Sequence, residues 1–461
     1  METCRKRVWL ALALLILRPV AQADIAEPPD VAALDAAFQQ LSHDVYRQLA
    51  QQEKYQAGNA DALMTQAQLR LSQGQHVSAI ALIVAHIDTL VASENPAATR
   101  SALSILLARN ERLTAQRLLD GVSDSGDRAL HGALSFQFAK FHFERHQWRQ
   151  CLDHIAAATP FLAGDDLDYA RLINGIALQR LKEHRQALTS YELIDRESDY
   201  FFHARLNAAI AYIRQGWWSE AHLVINNVLG ERVAPVDNEL VNRAHLVLGY
   251  AMLQQEYYRE ARQALRNVEL DSEYANRALL GIALVATAQE DFDGALNLLD
   301  VLKKRGSAEL VVDEAYLVTP YVLARQKEYA LALEAYHQAI NYYDGRLQDM
   351  ARVIASVRDE GDAFTGTPEF VLPEFGLSGP DGAMLSQNSG EIAAMLAYAD
   401  QQQVNLAARE ALQQLHRRYL TAIAGVVALN LEKTRGHLES YLSQAHYGIA
   451  RIYDENLMEN D

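Results

Sequence analysis

The chain has 461 residues, half of them apolar, with 23 Gly, 10 Pro and a formal charge of -17. So high an apolar content excludes a disordered chain, and the length exceeds a single small domain. The acidic balance argues against sequence-independent nucleic-acid binding, and two cysteines, Cys4 and Cys151, make neither a disulfide framework nor a four-cysteine zinc site.

Residues 2 to 23 read as a secretory leader: basic Arg5, Lys6 and Arg7, an apolar run from Val8 to Leu17, Pro19, and the small-x-small site Ala21-Gln22-Ala23. Ten apolar residues stopped by Arg18 are too short for about 30 Å of hydrocarbon. Cleavage after Ala23 is therefore expected, which places the mature chain in the periplasm with no transmembrane span. Loss of Arg5, Lys6, Arg7 and Arg18 against Glu2 takes the charge from -17 to -20, so an anionic lipid surface would repel it. Residues 24 to 58 read as an acidic linker and an N-terminal capping helix.

From residue 59 to 343 the sequence repeats about eight times. One small residue recurs as Ala79, Ala115, Cys151, Ala187, Ala221, Ala261, Ala295 and Ala332, at intervals of 36, 36, 36, 34, 40, 34 and 37. Three residues earlier stand His76, Arg112, Trp148, His184, Trp218, Tyr258, Phe292 and Tyr329. Four residues later stand Ile83, Leu119, Ile155, Tyr191, Ile225, Leu265, Leu299 and Tyr336, all apolar. Twelve residues earlier stand Ala67, Leu103, Ala139, Gly175, Ala209, Gly249, Ala283 and Pro320, six of them small. Small residues let paired helices approach closely, so each period predicts one helix-turn-helix, with Gly249 and Ala261 at a crossing. A single hairpin cannot bury its own apolar face; stacking on the next one completes the core. Pro320 is expected to kink or break its helix.

The segments AYIRQGWWSEAHLVI (211 to 225), LGYAMLQQEYYREARQAL (248 to 265) and ARQKEYALALEAYHQAI (324 to 340) carry a small, aromatic, small, aromatic order. In this the chain resembles the tetratricopeptide repeat family. The resemblance implies an all-α, right-handed α-solenoid of stacked hairpins, here with a C-terminal long-helix extension. It also implies a peptide-binding surface on the first helix of each unit. Carried onto this sequence, that surface comprises Leu172, Ile176 and Arg180; His203, Leu206, Ile210 and Arg214; Arg243, Leu246 and Tyr250; Arg277, Leu280 and Leu284; and Leu317, Tyr321 and Arg325. The Lys and Asn carboxylate clamp of the chaperone-binding members is replaced by Leu206 with Ile210 and Leu246 with Tyr250. The expectation is an apolar groove with arginine accents, in which Leu246→Glu spares folding. The competing reading is that these leucines pack against neighbouring first helices.

Beyond the array, 344 to 360 reads as a capping helix. Residues 361 to 390 hold six Gly and three Pro and read as a loop. Leu412, Leu415, Tyr419, Ala422, Val426 and Leu429, then Leu438, Leu442, Ala445, Ile449 and Ile452, follow heptad spacing. Residues 391 to 456 are therefore expected to form a hairpin of two long helices, packed within the chain or across a homodimer.

His142, His146, Cys151 and His154 form the one cluster suggestive of zinc, but Cys151 already has a place in the small-residue column. No metal or cofactor is expected. Glu439-Ser440 resembles the Glu-Ser pair of lytic transglycosylases, which also carry a helical superhelix, so a peptidoglycan-binding or glycan-cleaving protein is the alternative reading. The expected function is non-enzymatic: a periplasmic scaffold or adaptor of a cell-envelope assembly, with a protein or peptide as partner.

Overall fold

The computed structural model describes residues 30 to 230, 237 to 306, 309 to 360 and 379 to 459. The leader and most of the acidic linker lie outside them, as does 361 to 378. The described residues are helical, without a strand. Eight helical hairpins follow one another, and the eight second helices begin at His76, Arg112, Trp148, His184, Trp218, Tyr258, Phe292 and Tyr329, the aromatic-rich column of the sequence. The eight residues of the small column, Ala79 to Ala332, are at most 1% exposed. The residues four positions later are all buried. The repeat register is therefore the one expected from the spacing.

The turn that joins the helices is also repeated. Five positions before each small residue, the backbone enters the left-handed region, at Gly74, Asn110, His146, Lys182, Gly216, Glu256, Glu290 and Lys327. The next N–H returns to a carbonyl five residues back, from Gln75 to Arg70 and so on to Glu328 and Leu323, at 2.8 to 3.0 Å in all eight hairpins. This satisfies a carbonyl left open at the end of each first helix. Only two of the eight turn residues are glycine, so six hairpins bear the steric cost of a Cβ at positive φ.

Close crossings use the small residues on the first helices. A Cβ on Gly175 would lie 2.3 Å from the Tyr191 ring, and one on Gly249 would lie 2.4 Å from Leu265 Cγ. Helix Leu310–Arg325 runs through Pro320 without the expected break. Pro320 is buried at the small-residue position, so tertiary packing holds the helix despite the missing N–H.

The chain forms two compact units, Glu27–Ala204 with Val357–Ala428, and Arg205–Ser356 with Leu429–Asp461. In the first unit, helix Val31–Gln51 starts at Asp30, whose carboxylate accepts the Ala33 N–H at 2.9 Å. It packs on helices His76–Ala85, Arg112–Ser125 and Pro380–Gln401. A buried polar network ties these pieces together. Gln39 Nε2 donates to Asn110 O at 2.8 Å while its Oε1 accepts the Arg112 N–H at 3.0 Å, locking one left-handed turn. Asn110 Nδ2 donates to Asn388 Oδ1 at 2.7 Å, Asn388 Nδ2 to the Tyr419 hydroxyl at 3.0 Å, and that hydroxyl to Leu34 O at 3.0 Å. Arg112 pairs with Asp35, and Arg109 pairs with Glu391 at 2.9 Å.

In the second unit, Leu280, Leu284, Ala295, Leu299, Ala315 and Val318 share one core cluster that spans successive hairpins. Asn242 and Glu269 exchange two hydrogen bonds at 3.1 and 3.2 Å. The end of helix Arg409–Glu459 covers the last hairpin: a Cβ on Gly448 would lie 2.2 Å from the Tyr336 ring, and Tyr441 lies 5.9 Å from Tyr343 between ring centroids.

Three expectations at the C-terminal end are corrected. Residues 380 to 390 are the start of helix Pro380–Gln401, not loop. Proline at a first helical position and exposed Gly390 in the interior are both tolerated there. The 344 to 360 segment continues helix Tyr329–Glu360 and is not a separate cap. The two heptad runs lie on one 51-residue helix, Arg409–Glu459, and the first of them meets Pro380–Gln401 through the Asn388–Tyr419 hydrogen bond.

Candidate functional site

The structure divides the expected groove residues into two groups. Leu172, Leu206, Leu246, Leu280, Leu284 and Leu317 are buried. Leu280 and Leu284 sit in the core cluster with Ala315 and Val318 of the following first helix. The exposed apolar groove is therefore corrected to core. The physical reason is the side-by-side packing of first helices, which buries the aliphatic stripe that a helix alone would present.

The polar and aromatic members remain accessible. Arg180, His203, Arg214 and Arg277 are exposed, and Ile176, Ile210, Arg243, Tyr250, Tyr321 and Arg325 are half-buried. Within 205 to 356, Arg243 and Arg277 occupy the same register position, six before Gly249 and Ala283. Neither has an ion-pair partner among the described residues. The Tyr250 hydroxyl donates to Arg277 O at 2.8 Å, linking neighbouring first helices. The next residue in that register is Glu314, where burial pushes the carboxyl pKa up to about 7. Arg243 and Arg277 are thus accessible cations on a face that also carries Tyr250 and the acid Glu314, in a chain of charge -17.

The histidine cluster is packed, not open. His154 stacks on His142 and Phe138 at centroid distances of 5.2 and 5.0 Å. Burial, with His142 adding to it, pulls the His154 pKa down to about 4. The Cys151 thiol is buried and pushed up to about 12. His146 occupies a left-handed turn and stacks on Trp148 at 4.7 Å. Among the described residues no group of three His, Cys, Asp or Glu is placed to hold a metal ion. Glu439 pairs with Arg435 at 3.3 Å, and Ser440 Oγ accepts from Gln444 Nε2 at 3.2 Å, both along one helix.

A site absent from the sequence reading lies in the first unit. Helices Pro96–Ala108, Arg128–Glu144 and Pro380–Gln401 wall a cleft of 540 Å³. Leu107, Phe141, Pro380 and Met384 supply apolar surface; Gln137, Lys140, Glu144, Arg145 and Gln387 supply the polar groups. The Arg145 guanidinium stacks 3.7 Å above the Phe141 ring, and its Nη2 donates to Gln387 Oε1 at 2.9 Å. Gln387 Nε2 is held in turn by Ala108 O at 2.7 Å. Burial, followed by repulsion from Arg112, lowers the Arg145 pKa to about 10, which leaves it charged at neutral pH. Its Nε–H and the Oε1 of Gln137 are buried without hydrogen-bond partners. Sequence reasoning missed this cleft because one wall lies in residues read as loop, 242 positions from Arg145.

No family model matches the chain, and no curated protein does. Solved structures give similarity at low identity. A tetratricopeptide repeat protein from Parabacteroides merdae is 18% identical, covering 56% of this chain and 96% of its own, with a TM-score of 0.36. The apo form of RapI is 11% identical, covering 66% and 91%, with a TM-score of 0.44. The apo form of the quorum sensor NprR from B. thuringiensis is 10% identical, covering 61% and 97%, with a TM-score of 0.36.

Proposed function

We propose that this chain is an exported, non-enzymatic scaffold or adaptor of a bacterial cell-envelope assembly, binding a protein or peptide partner on the first helices of residues 205 to 356. The observation that carries the reading is the pair of register-equivalent arginines, Arg243 and Arg277, without ion-pair partners among the described residues of an acidic chain. These cations, with Tyr250 hydrogen-bonded to Arg277 O, offer charge-assisted hydrogen bonds and ring surface to a segment bearing Asp or Glu. The leader at residues 2 to 23 supports export. Periplasmic extraction, with amino-terminal sequencing for cleavage after Ala23, tests the location.

Affinity isolation from envelope extracts tests the surface, comparing the natural chain with Arg243→Glu/Arg277→Glu. Charge reversal at two accessible positions should leave thermal unfolding within about 1 kcal/mol and remove the specifically bound partner. Retention of the same partner by the reversed chain would remove the surface from consideration.

A further inference from the structure

The 540 Å³ cleft of the first unit is separate from the arginine pair and is suited to a different task. Its volume holds two or three amino-acid side chains, within the range of pre-formed ligand sites. Its charge is set by Lys140 and Arg145 against Glu144. Glu144 is exposed, whereas Lys140 and Arg145 are half-buried, with Lys140 Nζ held 4.4 Å over the Phe136 ring. The nearest carboxylate partner of a neighbouring guanidinium, Asp35, is already taken by Arg112. Arg145 is thus fixed in orientation by Phe141 and Gln387, yet has no ion pair among the described residues.

We propose that this cleft binds a peptide carboxylate: a chain terminus or acidic side chain with an aliphatic residue next to it. The carboxylate meets Arg145 and Lys140. The exposed Glu144 carboxylate at the rim accepts a peptide N–H, and the aliphatic side chain lies against Leu107, Phe141 and Met384. That rim carboxylate is what favours a peptide over a fatty acid, because an acyl chain has no N–H to give it.

The test is calorimetric titration of the full chain with three probes: N-acetyl-Leu-Leu as the free acid, the same dipeptide as its carboxamide, and octanoate. The free acid is expected to bind, with the carboxamide and octanoate each at least tenfold weaker. Arg145→Gln should reduce the affinity for the acid at least tenfold and leave the carboxamide unchanged. Because Arg145 also packs on Phe141, a second variant is needed; Ala383→Trp, at an exposed lining position, should block all binding while leaving the circular dichroism melt unaltered. Equal affinity for acid and carboxamide, or no binding of the acid, would overturn the proposal. Octanoate binding as tightly as the dipeptide acid would replace the peptide with an acyl carboxylate. None of these outcomes bears on Arg243 and Arg277, so this site and the proposed function fail separately.

Discussion

Two glycine-to-alanine substitutions in helix interiors should have opposite signs. Alanine is favoured over glycine in a helix by about 1 kcal/mol, so the local term is the same at both sites. At Gly345 a new Cβ meets nothing within 4 Å, and Gly345→Ala should stabilise by about 0.5 to 1 kcal/mol. At Gly249 the new Cβ would lie 2.4 Å from Leu265 Cγ, 2.6 Å from its Cδ2 and 3.4 Å from Ala261 O. Leu265 is 1% exposed and Cγ is not a free end, so the two helices must separate. Overpacking of this kind costs about 1 to 3 kcal/mol, and the short approach puts Gly249→Ala near the upper end. After the propensity gain, a net loss of about 2 kcal/mol remains, a shift of about 4 to 8 °C in the melting of a unit this size. Urea unfolding followed by circular dichroism at 222 nm gives both values. A double-mutant cycle with Leu265→Ala should return about 1 to 2 kcal/mol of coupling, because truncating the leucine removes the clash. If Gly249→Ala stabilised the protein as Gly345→Ala does, the close crossing would be wrong, and with it the function assigned to the small-residue column.

Other substitutions report on different parts of the fold. Leu246→Glu, which the sequence suggests is tolerated, places a carboxylate at a buried position and should destabilise by about 3 to 5 kcal/mol, measured by the same denaturation. Glu256→Gly relieves a left-handed residue at φ 64° and should stabilise by about 0.5 to 1 kcal/mol; a loss would mean that the turn is not left-handed in solution. His154 has its folded pKa lowered to about 4 from 6.5, so its neutral form is the one that fits. Its contribution is present above pH 6.5 and is lost as the pH falls through about 4. Allowing for solvent screening, it amounts to about 1 to 2 kcal/mol. His154→Leu should flatten the acid limb of the stability profile over that window, and an unchanged limb would rule out the stacked pair as its source.

The sequence made the period legible because packing at one crossing demands small residues at fixed spacing, and Ala187, Ala221 and Ala261 occupy equivalent buried positions. It did not reveal the recurrent turn, since six of its eight residues, among them Lys182 and Glu290, are not glycine. Periodicity showed that Leu246 and Leu280 lie on one helical face, but not which neighbour covers that face. The heptad runs were real, yet 3.5-residue spacing does not reveal whether two runs belong to one helix or two. The cleft and the Asn110–Asn388–Tyr419 network depend on residues 242 to 385 positions apart, and such contacts leave no local pattern.

The central claim, that a partner lies along the first helices of residues 205 to 356, is tested most directly by a site-specific photocrosslinker in growing cells. Placed at Arg277 on helix Ala275–Ala288, it should yield a discrete adduct with a protein carrying an acidic segment. Placed at exposed Arg259 on the second helix Tyr258–Arg266, it should yield none. Adducts formed from Arg259 and not from Arg277 would contradict the account.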